Sequence, residues 1–421
     1  MAQPPQITSL PDWTSLPQEL LESIAKRLAS GHDAASFRSA CSPWRAAVPF
    51  ATTLGPLLLL PLRPDSDTVS FHSVSEKQTF SLTLPFVLGK VPCGSSCGWV
   101  ALMDESASVT LLNPFTGARV ELPPADEHVA AASSPERAVS KIHGRWRWVI
   151  HSGDGSKAII KLEDMRGVFF HEIVLSAPPD DERECVVAMA VLASSTEVAF
   201  CRVGVDAAWT LLDAKLEFSV ASIVRCQGKF VVIDVTGDVS VFSSSAAGAT
   251  PTVMPLPSLS PPDGLCHRSY LESNGELHVV GAMVSTFHET RCFTYRTELY
   301  KCSLLDRALE WSRVKDVGEV TLFVSKCFGE SFSGTSVSKY EKNSIYFSEP
   351  LYGDLLDFAH RLETVDIAAG TSKVKPFHEN LQRSEALGWF RPNLWKRGTL
   401  MLLNGLYVGQ AVWMFLAHGN T

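Results

Sequence analysis

The chain has 421 residues, 45% of them hydrophobic and 19% charged, and a net charge of −8. That balance describes a globular protein with a lean charged surface, large enough for two or three domains, and leaves no electrostatic footprint for nucleic acid. Ten cysteines at scattered spacings exclude the dense disulfide framework of a small secreted domain. Neither a signal peptide nor an N-x-S/T sequon is visible, so an intracellular place, cytoplasm and/or nucleus, is expected.

Residues 1–11 are polar with three prolines and read as a loose tail. Ser15 and Gln18 then have the spacing of a capping box, and Pro17 falls in a first turn where it has no hydrogen bond to lose. Glu19 suits the positive end of a helix, and Lys26 and Arg27 the negative end. Leu20, Leu21, Ile24 and Leu28 repeat at helical spacing, and Gly31 suits the exit. Asp33 can cap a second helix with the apolar face Phe37, Ala40, Cys41 and Trp44, interrupted at Pro43.

By periodicity alone this is a helical hairpin. Its order of anchors resembles the F-box: Leu16-Pro17, Glu19-Leu20, Ile24, Leu28, Phe37-Arg38, Cys41 and Trp44-Arg45. Departures are Ala40, where the family often has Val, and Pro43 in the last helix. The resemblance implies docking on a Skp-type adaptor, and through it a cullin, by Leu16, Pro17, Leu20, Ile24, Leu28 and Trp44. The module is placed at 12–52.

From residue 57 onward the chain reads as β. Leu57 to Leu60 is an apolar run of strand length, and residues 71–84 read as two strands across a polar turn at 75–78. Trp99 to Met103 reads as a buried strand, Val109 to Leu112 as its partner, and Val120 and Leu122 as the return after the Asn113-Pro114…Thr116-Gly117 turn. Similar units recur irregularly, with turns at Gly153-Asp154-Gly155, Gln227-Gly228, Thr236-Gly237-Asp238, Asn274-Gly275 and Gly370. Many short strands suggest a sandwich, barrel or propeller; the length favours a propeller of six or seven blades, because radial repetition enlarges a β domain without long exposed edges.

Gly94-Ser95-Ser96-Cys97-Gly98-Trp99, then Leu112-Asn113-Pro114-Phe115-Thr116-Gly117 and Leu122-Pro123-Pro124, resemble the signature of plant F-box proteins with a KIB-type β-propeller. So do Cys201 to Gly204 with Trp209, Tyr270 to Leu277, Asn343 to Phe347 and Trp389-Phe390-Arg391-Pro392. The resemblance implies a small all-α F-box module followed by a large all-β domain at 57–394, acting as a non-catalytic substrate receptor of a Skp–cullin–F-box ligase. The target protein is not implied. A propeller-type carbohydrate-binding protein or enzyme and a non-degradative F-box scaffold stand as alternatives.

Residues 395–421 run past the matched region. The uncharged Leu400 to Ala417 reads as a membrane anchor diluted by Asn404, Gly405, Gly409 and Gln410, as a closing strand pair, or as a divergent end. No nucleotide-loop, zinc-protease or nucleophile-elbow motif occurs. Cys93 and Cys97 form half of a zinc site without a second pair, and reduced thiols with no metal or other cofactor are expected. Asp180-Asp181-Glu182 with Glu184 reads as a solvated loop. His171-Glu172 and His288-Glu289 are isolated pairs whose members point to opposite faces of a strand. Trp99, Trp209 and Trp311 read as core.

Overall fold

A computed structural model describes residues 16–25, 37, 44, 56–75, 77–133, 138–142, 147–179, 185–243, 251–256, 259, 261–287, 292–304, 310–325, 331–335, 340–348, 361–376 and 388–393. Helix α1 (Gln18–Ala25) begins directly after Pro17, whose carbonyl accepts the N–H groups of Leu20 and Leu21 at 3.1 and 3.2 Å. Glu19 sits in its first turn, where a carboxylate meets the positive end of the helix. The predicted cap Ser15, the exit at Gly31, Asp33, Pro43 and the segment 395–421 lie outside the described residues.

The rest is strands. β1 (Leu57–Leu59), β2 (Thr68–Ser73) and β3 (Gln78–Thr83) form a meander. A four-stranded sheet comes after it: β4 (Val91–Ser96), β5 (Trp99–Met103), β6 (Val109–Leu112) and β7 (Arg119–Leu122). Helix α2 (Glu127–Ser133) leads into a three-stranded sheet, β8 (Ala138–Lys141), β9 (Trp148–His151) and β10 (Lys157–Ile159). Two more four-stranded sheets come next. The first holds β11 (Phe170–Leu175), β12 (Val187–Leu192), β13 (Glu197–Arg202) and β14 (Thr210–Asp213). The second holds β15 (Val220–Cys226), β16 (Lys229–Asp234), β17 (Val239–Ser243) and β18 (Thr252–Leu256).

A nine-stranded sheet ends the series. One part is β19 (Leu265–Ser273), β20 (Glu276–Phe287), β21 (Cys292–Cys302) and β22 (Ser312–Val314). The other is β23 (Val320–Val324), β24 (Phe332–Thr335), β25 (Ser344–Phe347), β26 (Arg361–Asp366) and β27 (Thr371–Pro376). Here β23 pairs antiparallel with β24 but parallel with β25, which departs from a plain meander. Finally β28 (Gly388–Phe390) returns to pair with β1, opening the first sheet. Among the described residues this makes five sheets and one smaller insert, β8–β10; with the two parts of the nine-stranded sheet taken separately there are six blade-like units.

Contacts between neighbouring blades trace a propeller-like ring. Leu175 N–H donates to Ser96 Oγ at 3.2 Å, tying β11 to β4. Gly94 is required there, since a Cβ would stand 2.5 Å from the Ile173 carbonyl. Trp209 Nε1 donates to the Pro123 carbonyl at 2.6 Å, and Gln227 Nε2 to that of Gly275 at 2.6 Å. Glu272 on β19 bridges to Phe332 on β24. Central strands are therefore covered on both faces: β5 and β12 are buried at every position. That cover is why they read as continuous apolar runs rather than alternating ones. The X–Gly turns at Cys97-Gly98, Gln227-Gly228 and Asn274-Gly275 all place both residues at positive φ, the geometry of two-residue hairpins.

The ring closes at residues 388–393. Trp389 N–H donates to Ser325 Oγ at 2.8 Å, and its Nε1 to the Tyr346 carbonyl at 3.0 Å. Phe390 packs between Phe71 and Phe115, with ring centroids 5.2 and 6.1 Å away. Asn393 Nδ2 donates to the Cys97 carbonyl at 3.3 Å, while its own carbonyl accepts Asn113 Nδ2 at 2.6 Å. The other end of the fully buried Asn113 side chain, Oδ1, accepts the Phe115 and Thr116 N–H groups at 3.0 and 3.2 Å. The Cys97-Gly98 turn, the Asn113 turn and the residues that follow β28 thus form one latch. Asn113→Ala removes all three bonds and strands the Phe115 and Thr116 donors. It is expected to cost about 2–3 kcal/mol, read as a lower urea midpoint. An unchanged midpoint would show that the latch contributes nothing.

Candidate functional site

Helix α1 presents two apolar faces. One is inward: Leu21 (2% exposed) and Phe37 (7%) form a small core against which Leu16 and Trp44 pack. The Phe37 and Trp44 rings lie 4.5 Å apart. The other is outward: Leu20 is 52% exposed and Ile24 40%, four residues apart on one side, with exposed Pro17 a turn before them. Of the six residues predicted to dock, Pro17, Leu20 and Ile24 stand together at the surface. Leu16 and Trp44 are half-buried in the inner core, and Leu28 lies outside the described residues. Leu21 shares the helical spacing of Leu20 and Ile24 but is buried against Phe37 rather than exposed.

An exposed Leu–Ile pair at successive turns is a surface with nothing of its own chain over it among the described residues, while the neighbouring Leu21 is already buried with Phe37. Such a stripe can be buried in an apolar groove of a partner. Burying each side chain is worth about 1.5–3 kcal/mol.

The other residues singled out by the sequence are mostly architectural. Cys93 is buried, its thiol pushed up to about 12 by desolvation, and its Sγ donates to the Ala101 carbonyl at 3.7 Å. Cys97 instead lies in the latch turn. Among the described residues no three His, Cys, Asp or Glu side chains gather as metal ligands. Gly153–Ser156 is the β9–β10 hairpin turn, with Asp154 Oδ1 accepting the Ser156 N–H at 2.9 Å. Trp99 and Trp209 are core, and Trp311 packs partly buried beside Tyr270. The acidic run 180–184 and His288-Glu289 lie outside the described residues.

Glu172 sits beside the bulge of β11. Desolvation pushes its carboxyl from 4.5 up to about 7, against the Arg166 charge and an N–H from Ile223. A carboxyl raised in the folded state gives stability that is complete below its unfolded value and lost as pH climbs through its folded value. Glu172→Gln, which stays neutral, should therefore be more stable than the parent at pH 8, with the gap closing towards pH 4.5. Equal urea midpoints at pH 8 would refute this.

One polar cluster gave no sequence signal. The buried Glu298 carboxylate is held by Arg313 at 2.6 Å and Tyr300 OH at 2.6 Å, with Arg296 at 3.8 Å. These residues come from two strands whose register only the fold supplies. Glu298, Arg296 and Arg313 edge a cleft of about 200 Å3 reaching Val365 and Gly370.

The KIB1-4 β-propeller family profile matches residues 71–378, well over half of the chain. The chain is similar to F-box protein At2g26160 of Arabidopsis thaliana, 24% identical over 352 residues, covering 80% of this chain and 95% of that protein. It is similar to F-box protein At2g17036 of the same plant, 23% identical over 348 residues, covering 74% and 77%. A shorter stretch of 119 residues is 34% identical to F-box protein SKIP23 of Arabidopsis thaliana, covering 27% and 29%. Among the described residues no helix is long and apolar enough to cross a membrane.

Proposed function

The chain belongs to the KIB1-4 β-propeller family, and from that membership we propose that it is the substrate-recognition subunit of a Skp–cullin–F-box ubiquitin ligase. In this reading residues 12–52 are an F-box module that docks on a Skp-type adaptor. Residues 57–394 are a propeller that holds a target protein for ubiquitin transfer by other subunits, so the chain itself is a receptor and performs no catalysis.

The observation that carries the reading is the outward face of α1. Pro17 and Leu20 of the L-P-x-E-L pattern, and Ile24 one turn after it, are exposed, while Leu21 and Phe37 are buried together. Two aliphatic side chains left in water at adjacent helical turns are explained by a groove that receives them. The names of the Arabidopsis relatives, F-box proteins, support the same role. Affinity purification of the full chain from plant cells tests it. Adaptor and cullin peptides are expected among the captured proteins; their absence from a capture that retains the intact chain would overturn the reading.

A further inference from the structure

The insert β8–β10 departs from the blades in charge as well as in strand number. Residues 138–159 carry four Lys or Arg and one acid, Asp154, in a chain whose net charge is −8. Trp148 packs its inner side against the blades, in T-shaped contact with Phe169 at 4.9 Å. β10 is an outer edge: among the described residues it pairs with β9 alone, and Lys157, Ala158 and Ile159 are all exposed.

The hydrogen-bond pattern fixes which backbone groups that edge offers. Ser152 N–H donates to the Ser156 carbonyl and Ile160 N–H to the Trp148 carbonyl. By the alternation of an antiparallel ladder, Ala158 is turned towards β9, while Lys157 and Ile159 turn their N–H and C=O outward. Their side chains share one face of the sheet, two residues apart. Lys161, two further on, keeps extended backbone at φ −75° and ψ 153° and continues the row, its Nζ 3.6 Å from Glu163 Oε1 in a solvent-exposed pair that an incoming carboxylate can share or replace. The edge therefore presents Lys157, Ile159 and Lys161 in line, with Ile159 52% exposed.

We propose that β10 is a docking edge for an extended acidic peptide of a partner protein, added as a fourth strand with carboxylates opposite Lys157 and Lys161 and an apolar residue against Ile159. Main-chain hydrogen bonds from Lys157 and Ile159 supply pairing, and the side-chain row supplies selectivity. The same lysines reject a second copy of this chain, because like charges directly opposite one another are destabilising. Acidic character is thus what the edge selects. The inference rests on the reading of the β domain as the target-binding part and names the chemistry of that target.

The test uses the purified full chain and a fluorescent nine-residue peptide of alternating Glu and Val, with a Lys-for-Glu counterpart as control. Ile159→Pro removes an outward N–H without breaking a bond to β9, a position where an edge strand tolerates proline. Lys157→Glu with Lys161→Glu reverses the row. Each variant is expected to melt as the parent does and to bind the acidic peptide at least about tenfold more weakly, and the Lys peptide should not bind the parent. Equal affinity of parent and Ile159→Pro would overturn the proposal, as would binding of single-stranded DNA or anionic vesicles in place of the peptide. Adaptor capture by every variant is measured in parallel. Its failure in the parent would sink the ligase reading, whereas loss of peptide binding alone bears only on the edge.

Discussion

Trp389→Ala is expected to destabilise the fold more than Asn113→Ala does. The side chain is fully buried, donates to the Tyr346 carbonyl at 3.0 Å, and meets the Phe323 ring edge-on at 5.0 Å. Truncating a buried Trp costs about 3–5 kcal/mol through lost transfer energy and the cavity left behind. That is a large part of the roughly 5–15 kcal/mol that holds a domain together. The position adds a second effect. β28 pairs with β1 while Trp389 N–H donates to Ser325 Oγ just past β23, and Phe390 and Asn393, which reach Phe71 and Asn113, follow directly along the chain. Urea unfolding should show a lower midpoint and an early transition, and Trp389→Phe, which keeps most of the volume, should recover a good part of the loss. A Trp389→Ala protein with the parent's midpoint would mean that the ring does not depend on its last described strand.

Leu20→Asp with Ile24→Asp is expected to have the largest effect on binding. Both side chains lie at the surface, so the folded chain loses little, within about 0.5 kcal/mol per site. A groove that buried them would lose about 1.5–3 kcal/mol for each and would have to desolvate two carboxylates. Adaptor affinity should fall at least about a hundredfold. The contrasting variant is Leu21→Ala. Leu21 lies in the module's own core with Phe37, so this change should lower the module's stability and weaken docking only through it. Unequal behaviour of neighbouring leucines separates a docking face from a general apolar helix.

The central strands were legible in the sequence and the innermost ones were not. Trp99 to Met103 and Val109 to Leu112 are largely apolar runs of strand length, because neighbouring blades cover both of their faces. β4 hides behind Pro92 and Gly94: both residues argue against a strand, and they sit at a bulge that lets β11 approach. β11 is similar, since a bulge between Phe170 and Glu172 breaks its alternation and leaves His171 exposed. Helix α2 offered only seven residues, and β28 only Gly-Trp-Phe, whose partner β1 lies at the opposite end of the domain. Such long-range pairings leave no local signal.

Gly98, Asn113 and Trp209 carry the family resemblance in the sequence, but their roles became visible only with the fold. A Cβ on Gly98 would collide with Asn393, Asn113 ties a turn to that residue, and Trp209 holds the Pro123 carbonyl. They hold blades together and shape the latch. In the candidate docking site, helical spacing found Leu20 and Ile24 but grouped Leu21 with them. Separating the two faces required Phe37 and Trp44 in place.

The most direct measurement is a calorimetric titration of the purified full chain with a purified Skp-type adaptor, run in parallel on the Leu20→Asp/Ile24→Asp variant. The ligase-receptor account predicts saturable binding by the parent and none by a variant that unfolds at the parent's urea midpoint. Equal binding by both proteins, or no binding by a folded parent, would contradict it.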